Sequence, residues 1–291
     1  MYCRSWYRKR IPNDKWLMQA SLIIQAARLI DNADGILITA GAGMGVDSGL
    51  PDFRGNDGFW KAYPALAASG IDFTSIANPR AFLKNPKQAW GFYGHRLALY
   101  RKTIPHEGFG ILQSIASKMP HGAFVVTSNV DGQFQKAGFS DDAIFEIHGS
   151  LHSLQCIRPC QHRIWSANGI EPVLDEVHCE WVGEIPMCPD CGSIARPNVL
   201  MFNDASWVGE HSYHQERNWQ VWNSRVKKPV VIELGAGIDI PSIRLISETQ
   251  RVPLIRINPR HDEMDDGSEG VSIPMGAKSA LMGIANGLGN L

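Results

Sequence analysis

The chain has 291 residues, of which 44 % are hydrophobic. It is long enough for one large domain, or a large and a small one, around a substantial core. Its formal net charge of −1 gives no electrostatic ground for nucleic acid or an anionic membrane surface as a partner.

The basic start, Met1 to Arg10, is followed by no apolar region with a cleavage site, and no run of about 18 apolar residues occurs. Neither a secretory leader nor a membrane span is expected, so the reading is cytoplasmic. In that reducing compartment, paired cysteines suggest a metal rather than disulfides. From about residue 14 to 32, Leu17, Ala20, Ile23, Ile24, Ala27 and Ile30 recur at helical spacing. Asp34-Gly35 stops that helix, and Ile36-Leu37-Ile38 reads as a buried parallel strand. The strand breaks into three glycines, Gly41, Gly43 and Gly45. This predicts a tight turn at a helix N-terminus, where backbone N–H groups can approach a pyrophosphate.

Residues 56–100 read as a helical module. Asn78-Pro79 and Asn85-Pro86 each open a helix, and another runs from Pro105-His106 to about Ser117. Phe124 to Thr127 and Ile144 to Ile147 are further buried strands. They end in Ser128-Asn129-Val130-Asp131 and in His148-Gly149. Polar residues just past apolar strands are where open α/β sheets bind ligands. By themselves, Asn129 and Asp131 also suit a plain Asx-type turn, and a lone histidine is more often structural.

Residues 151–196 change character and carry Cys156-x3-Cys160 and Cys188-x2-Cys191. Two thiolate knuckles can close a tetrahedral, structural zinc site. Cys179 is an alternative to Cys160, and four free thiols are the plain alternative to a metal. Val199 to Phe202 resumes a β pattern, a helix follows over about 211–225, and Pro229 to Leu234 is a strand ending in Gly235-Ala236-Gly237. Leu254 to Ile257 is another strand, ending at Asn258. Residues 261–270 read as an exposed loop before a last helix near Gly276.

The segment Ser48-Gly49-Leu50-Pro51-Asp52-Phe53-Arg54, with the glycine turn before it, resembles the Gly-Ala-Gly…Ser-Gly-Ile-Pro-Asp-Phe-Arg stretch of the sirtuins, the NAD-dependent protein deacylases. Ordered motifs continue the resemblance to Asn258. The resemblance implies an α/β fold: a Rossmann-like parallel sheet from 14–55, 101–150 and 197–291, with a smaller module made of the helical 56–100 and the zinc ribbon 151–196. It implies that NAD lies along Gly41, Ala42, Gly43, Met44 and Gly45, with Asp52, Phe53 and Arg54 closing over the nicotinamide side. Asn129 and Asp131 would orient the nicotinamide ribose and carboxamide, and Ser128 stands where the family has Gln. His148 would be the general base toward the ribose hydroxyls. Gly235, Ala236 and Gly237 replace Gly-Thr/Ser-Ser, which removes hydroxyls that help hold the cofactor. Asn258 would face the adenine-side ribose. Phe202 belongs to the strand that lines the acyl-lysine cleft, where Asn203-Asp204 replaces Gly-Glu. Cys156, Cys160, Cys188 and Cys191 would hold zinc.

Tyr93 and Arg96 share one helix face at i and i+3. They resemble the Tyr-x-x-Arg pair of sirtuins that remove succinyl or malonyl groups, though the bare pair also suits an ordinary helix surface. The implied reaction transfers the acyl group of a modified protein lysine to ADP-ribose as nicotinamide leaves. Protein ADP-ribosylation and NAD hydrolysis are the rival activities. A non-catalytic NAD-sensing module is the rival of another class.

Overall fold

The computed structural model describes residues 13–52, 55–264, 267 and 269–289. The expected roles of Phe53 and Arg54 therefore lie outside the described residues. In chain order, helix α1 (Asn13–Asp31) leads into strand β1 (Gly35–Ala40), all six of whose residues are buried. A 3₁₀ helix follows over Ala42–Ser48 and stops at Gly49, whose φ is 87°. The expected α-helical N-terminus is thus a tighter turn, interrupted by its own glycines. Helices α2 (Gly55–Ala62), α3 (Pro64–Ala68), α4 (Phe73–Ile76), α5 (Pro79–Lys84) and α6 (Pro86–Lys102) come next. The Asn78 and Asn85 side chains accept the N–H groups of Arg80 and Gln88, so each Asn-Pro pair caps a helix as expected.

Helix α7 (Glu107–Ala116) precedes strand β2 (Ala123–Thr127), the short helix α8 (Gln133–Lys136) and strand β3 (Ile144–Glu146). Strands β4 (Gly149–Cys156), β5 (Ile164–Ser166), β6 (Leu174–Asp175), β7 (Glu180–Trp181) and β8 (Ala195–Val199) occupy the cysteine-bearing region. Helix α9 (Glu210–Arg225), strand β9 (Pro229–Leu234), helix α10 (Ser242–Thr249), strands β10 (Leu254–Ile257) and β11 (Gly270–Ile273), and helix α11 (Ala277–Leu288) complete the chain. Strand β11 begins where the loop was expected to end; its Val271 and Ile273 are buried in alternation and pair with β10.

Among the described residues, the large sheet has the order β3-β2-β1-β9-β10-β11, and every pairing is parallel. The chain winds outward from β1 through β2 to β3, then returns to β9 and winds the other way. The crevice between β1 and β9 is the topological switch point where such sheets bind ligands. Ile36 and Ile38 face a core shared with α1, α7 and α11, whereas Leu37 faces Phe124, Val231 and Ile243 on the other side. Two covered faces explain the unbroken apolar strands.

The smaller lobe joins both expected inserts in one core. Phe59, Phe82, Trp90 and Tyr93 of the helices pack with Leu151, Leu154 and Trp181 of the cysteine region. The Trp90 indole N–H donates to the Ala195 carbonyl at 2.9 Å. A Cβ on Gly91 would lie 2.1 Å from the Cys179 carbonyl oxygen, so α6 docks there by a glycine. The antiparallel sheet β5-β4-β8 runs from Gly149 and takes in Ala195–Val199. The strand expected over Val199 to Phe202 ends at Val199, because Asn203 turns the chain with φ 54°.

Candidate active site

The switch point is closed by backbone against backbone. A Cβ on Gly43 would lie 2.6 Å from Gly235 Cα, and the Gly43 N–H donates to the Gly235 carbonyl at 3.0 Å. Only glycine permits this approach. The end of β2 is stitched to the same turn. Thr127 Oγ1 donates to the Ala40 carbonyl at 2.9 Å and accepts the Asn129 N–H at 3.0 Å. The Asn129 side-chain amide donates to the Gly41 carbonyl at 3.0 Å.

A cleft of ≈ 400 Å³ opens above this floor, between the two lobes. Gly41, Ala42, Asp52 and Gly237 line one part of it, and Ser128, Asn129, Asp131 and His148 another. Tyr93, Arg96 and Phe202 reach it from the smaller lobe. Among the described residues, the other expected cofactor residues lie beneath the cleft rather than on its wall. Met44 and Ala236 are fully buried, and Gly43, Gly45 and Gly235 shape the turn beneath. Asn258 is buried too. It donates to the Ala236 carbonyl at 2.9 Å and accepts from the Arg260 and His261 N–H groups at 3.1 Å, bracing the Gly235–Gly237 turn. A Cβ at Gly237 would meet open space, so the hydroxyl missing there was not excluded by crowding.

His148 sits where β3 ends. Burial lowers its pKa, partly offset by its hydrogen bond to the Ser128 main chain. A neutral ring keeps one nitrogen as donor and the other as acceptor. Three other histidines are bonded elsewhere: His106 to the Met44 carbonyl, His152 to the Asp131 carbonyl and His95 to the Tyr63 hydroxyl, each at 3.0 Å. Burial pushes Asp131 up to about 6, opposed by the Gln133 N–H and by Arg96. At neutral pH the site therefore pairs an unprotonated base with a mostly ionised carboxylate.

Arg96 is buried, and its Nε and Nη2 donate to the Tyr100 hydroxyl at 2.9 and 2.6 Å. Tyr93 stacks on Phe82 at 5.5 Å, and burial keeps its phenol protonated well above the usual range. Sequence reasoning missed Tyr100, which also lines the cleft; its i+4 spacing from Arg96 on a helix was the available signal. It also missed Glu146, buried and pushed up to about 8 by desolvation. An acid inside a short apolar strand is hard to weigh without its surroundings.

The sulfurs of Cys156, Cys160, Cys188 and Cys191 all lie within 4.8 Å of one another. Cys156–Cys191 and Cys160–Cys188 are 3.6 and 3.7 Å apart. That is too long for disulfides. It matches the edge of about 3.8 Å expected of a tetrahedron with Zn–S bonds of about 2.3 Å. The donor set fits a closed, structural Zn²⁺ site, and Cys179 lies outside it, packed against α6.

A doubly wound sheet with a glycine-floored switch point, facing His148 and Asp131 across an interlobe cleft, is of the class that binds dinucleotides. Which family follows from comparison with known proteins. Residues 41–221 match the Sir2 family, and the chain belongs to that family. It is 28 % identical over 226 residues to an NAD-dependent protein deacylase of Aquifex aeolicus, covering 77 % of this chain and 83 % of that one. It is 30 % identical to an NAD-dependent protein deacetylase of Saccharolobus solfataricus, covering 77 % and 78 %. A similar deacylase of Pyrococcus abyssi is 30 % identical and is covered to 66 % of its length. The fold agrees with a Sir2 homologue solved with NAD (TM-score 0.67, 21 % identity, 91 % of this chain and 93 % of that one). It agrees equally with a Sir2 homologue variant solved with ADP-ribose (TM-score 0.67, 23 % identity, 91 % and 95 %). Among the described residues no helix is long and apolar enough to cross a membrane.

Proposed function

We propose that this chain, an NAD-dependent protein deacylase of the Sir2 family, removes acyl groups from protein lysines, with acidic acyl groups such as succinyl and malonyl among its substrates. The observation that carries the reading is the convergence of His148, Asn129 and Asp131 with Tyr93 and Arg96 on one cleft at the switch point. NAD, as co-substrate, supplies the ribose that accepts the acyl group, with nicotinamide as the leaving group. Asn129 and Asp131 orient the nicotinamide end, and the glycine floor admits the diphosphate. His148 takes a ribose hydroxyl proton onto its free nitrogen. Gly41, Ala42, Asp52, Ser128 and Gly237 form the walls for the dinucleotide, and Phe202 with its neighbours forms the apolar wall for the lysine arm. The zinc site holds the smaller lobe and does no chemistry.

Arg96 is charged and desolvated, and Tyr93 beside it is a neutral hydroxyl donor. Together they suit a carboxylate at the far end of an acyl chain. Replacing Arg96 by Met should lower kcat/KM on a succinyl-lysine peptide by on the order of ten- to a hundredfold, the worth of charge-assisted hydrogen bonds. An acetyl-lysine peptide should lose far less. Equal losses on both peptides would contradict the clamp.

The acid limb of the pH profile is a second expectation. Asp131 must be ionised, a condition lost as pH falls through about 6, and His148 must be neutral, a condition that burial sustains to lower pH than for a free imidazole. Deacylation kcat/KM should hold level from pH 7 to 8 and drop on the acid side as Asp131 protonates through about 6, with protonation of His148 adding to the fall. Asp131→Asn should leave a lower plateau with a one-proton limb. A profile that rises below pH 6 would contradict these assignments.

A further inference from the structure

The segment between β8 and α9 carries the apolar wall of the cleft: Val199, Leu200, Met201 and Phe202 all line it. Yet from Leu200 to Gly209 it has no regular structure. Its shape depends on one carboxylate. Asp204 Oδ1 accepts from Arg196 Nη2 at 2.8 Å and from the Ser206 N–H and hydroxyl at 3.2 Å. Oδ2 accepts the Met201 N–H at 3.3 Å and lies 2.8 Å from the same guanidinium nitrogen. Arg196 in turn donates from Nη1 to the Val199 carbonyl at 3.1 Å. Both charged side chains are 0 % exposed, and Arg196 Nε has no partner among the described residues. The guanidinium charge therefore rests on Asp204.

This ion pair is connected to both ends of the reaction site. The Leu200 N–H donates to the His148 carbonyl, and the Phe202 N–H to the Ala77 carbonyl, each at 2.9 Å. The Phe202 ring meets Phe73 edge-on at 5.8 Å. Asn203 adopts the left-handed conformation that brings Asp204 back toward Arg196; asparagine tolerates that conformation far better than most residues. The pair Asn203-Asp204 thus closes a loop around a buried arginine.

We propose that Asp204 is a positioning residue for acyl selectivity: by pairing with Arg196 it fixes how far Met201 and Phe202 project into the cleft, and so which acyl chains fit beside His148. The proposal rests on the deacylase reading above. A wall displaced by one methylene's depth changes discrimination between chain lengths by about tenfold or more.

The test uses the full, zinc-loaded chain with acetyl-, butyryl- and succinyl-lysine peptides of one sequence, at saturating NAD for the peptide kinetics and with NAD varied for its own KM. Asp204→Asn keeps the side-chain shape and removes the charge. The double variant Arg196→Met, Asp204→Leu removes both charges and carries the test if the single variant fails to fold, because an apolar pair can replace a buried ion pair. The expected result is a change of about tenfold or more in the acetyl-to-butyryl kcat/KM ratio. It should be expressed in the peptide KM, with the NAD KM within about twofold of the unaltered chain. An unchanged ratio in the folded variants would overturn the proposal. So would a uniform loss on all three peptides accompanied by a higher NAD KM. Absence of deacylation by the unaltered chain would instead overturn the deacylase reading, and this proposal with it.

Discussion

Replacing His148 by alanine should lower deacylation by about 10²- to 10⁴-fold, the usual worth of a general base, while melting temperature and zinc content stay as they were. The expectation rests on where each part of the residue is engaged. The His148 carbonyl accepts from Leu200, and that bond survives the substitution. The side chain gives up a half-buried position at the cleft, which is a modest structural loss. Its acceptor nitrogen has no substitute. His106 and His152 already bond main-chain carbonyls and do not line the cleft. NAD-dependent deacylation and a thermal melt on the same sample check the prediction. Unchanged turnover in a folded variant would remove His148 from the mechanism.

Loss of the metal should have a comparably large effect, through the fold. Cys156 ends β4, and Cys188 and Cys191 form the turn that returns the chain toward β8. Between them, β5, β6 and β7 are only two or three residues long. Such strands cannot order this segment unaided. Structural zinc binding contributes about 10–16 kcal/mol in small zinc-folded peptides, against about 5–15 kcal/mol of stability for a typical domain. Cys188→Ser, or chelation, should therefore unravel the zinc region. Trp181 and Leu154 would leave the core that seats Phe82, Trp90 and Tyr93, and α6 would lose its support. Zinc content near zero, a melt at much lower temperature and loss of deacylation are expected together. A Cys188→Ser protein that melts and turns over normally would show that the cysteines are not a structural site.

Much of this architecture was legible in the residues. The apolar strands, the Asn-Pro helix starts and the paired cysteines each obey a local rule, and the structure contains each of them. The misses share one cause: the deciding partner is distant in sequence. Gly270–Ile273 reads as the edge of an acidic loop until β10 is beside it. Val199 to Phe202 reads as one strand, but Asn203 and the carboxylate of Asp204 bend it after Val199. The same holds within the site. Asn258 is legible by motif as a cofactor-side residue, but its bonds to the Ala236 carbonyl and to the turn after β10 are not. Tyr100 looks like one more core aromatic until its hydroxyl is found on Arg96.

The most direct test of the account is a stoichiometry. The purified chain is incubated with NAD and an acyl-lysine peptide, and nicotinamide and peptide mass are read from the same sample. Nicotinamide release should require the peptide and match, one for one, the peptide that has lost its acyl mass. Nicotinamide release with the acyl group retained would contradict it in favour of ADP-ribosyl transfer or NAD hydrolysis. No release from a folded, zinc-loaded protein would contradict it in favour of an NAD-sensing module.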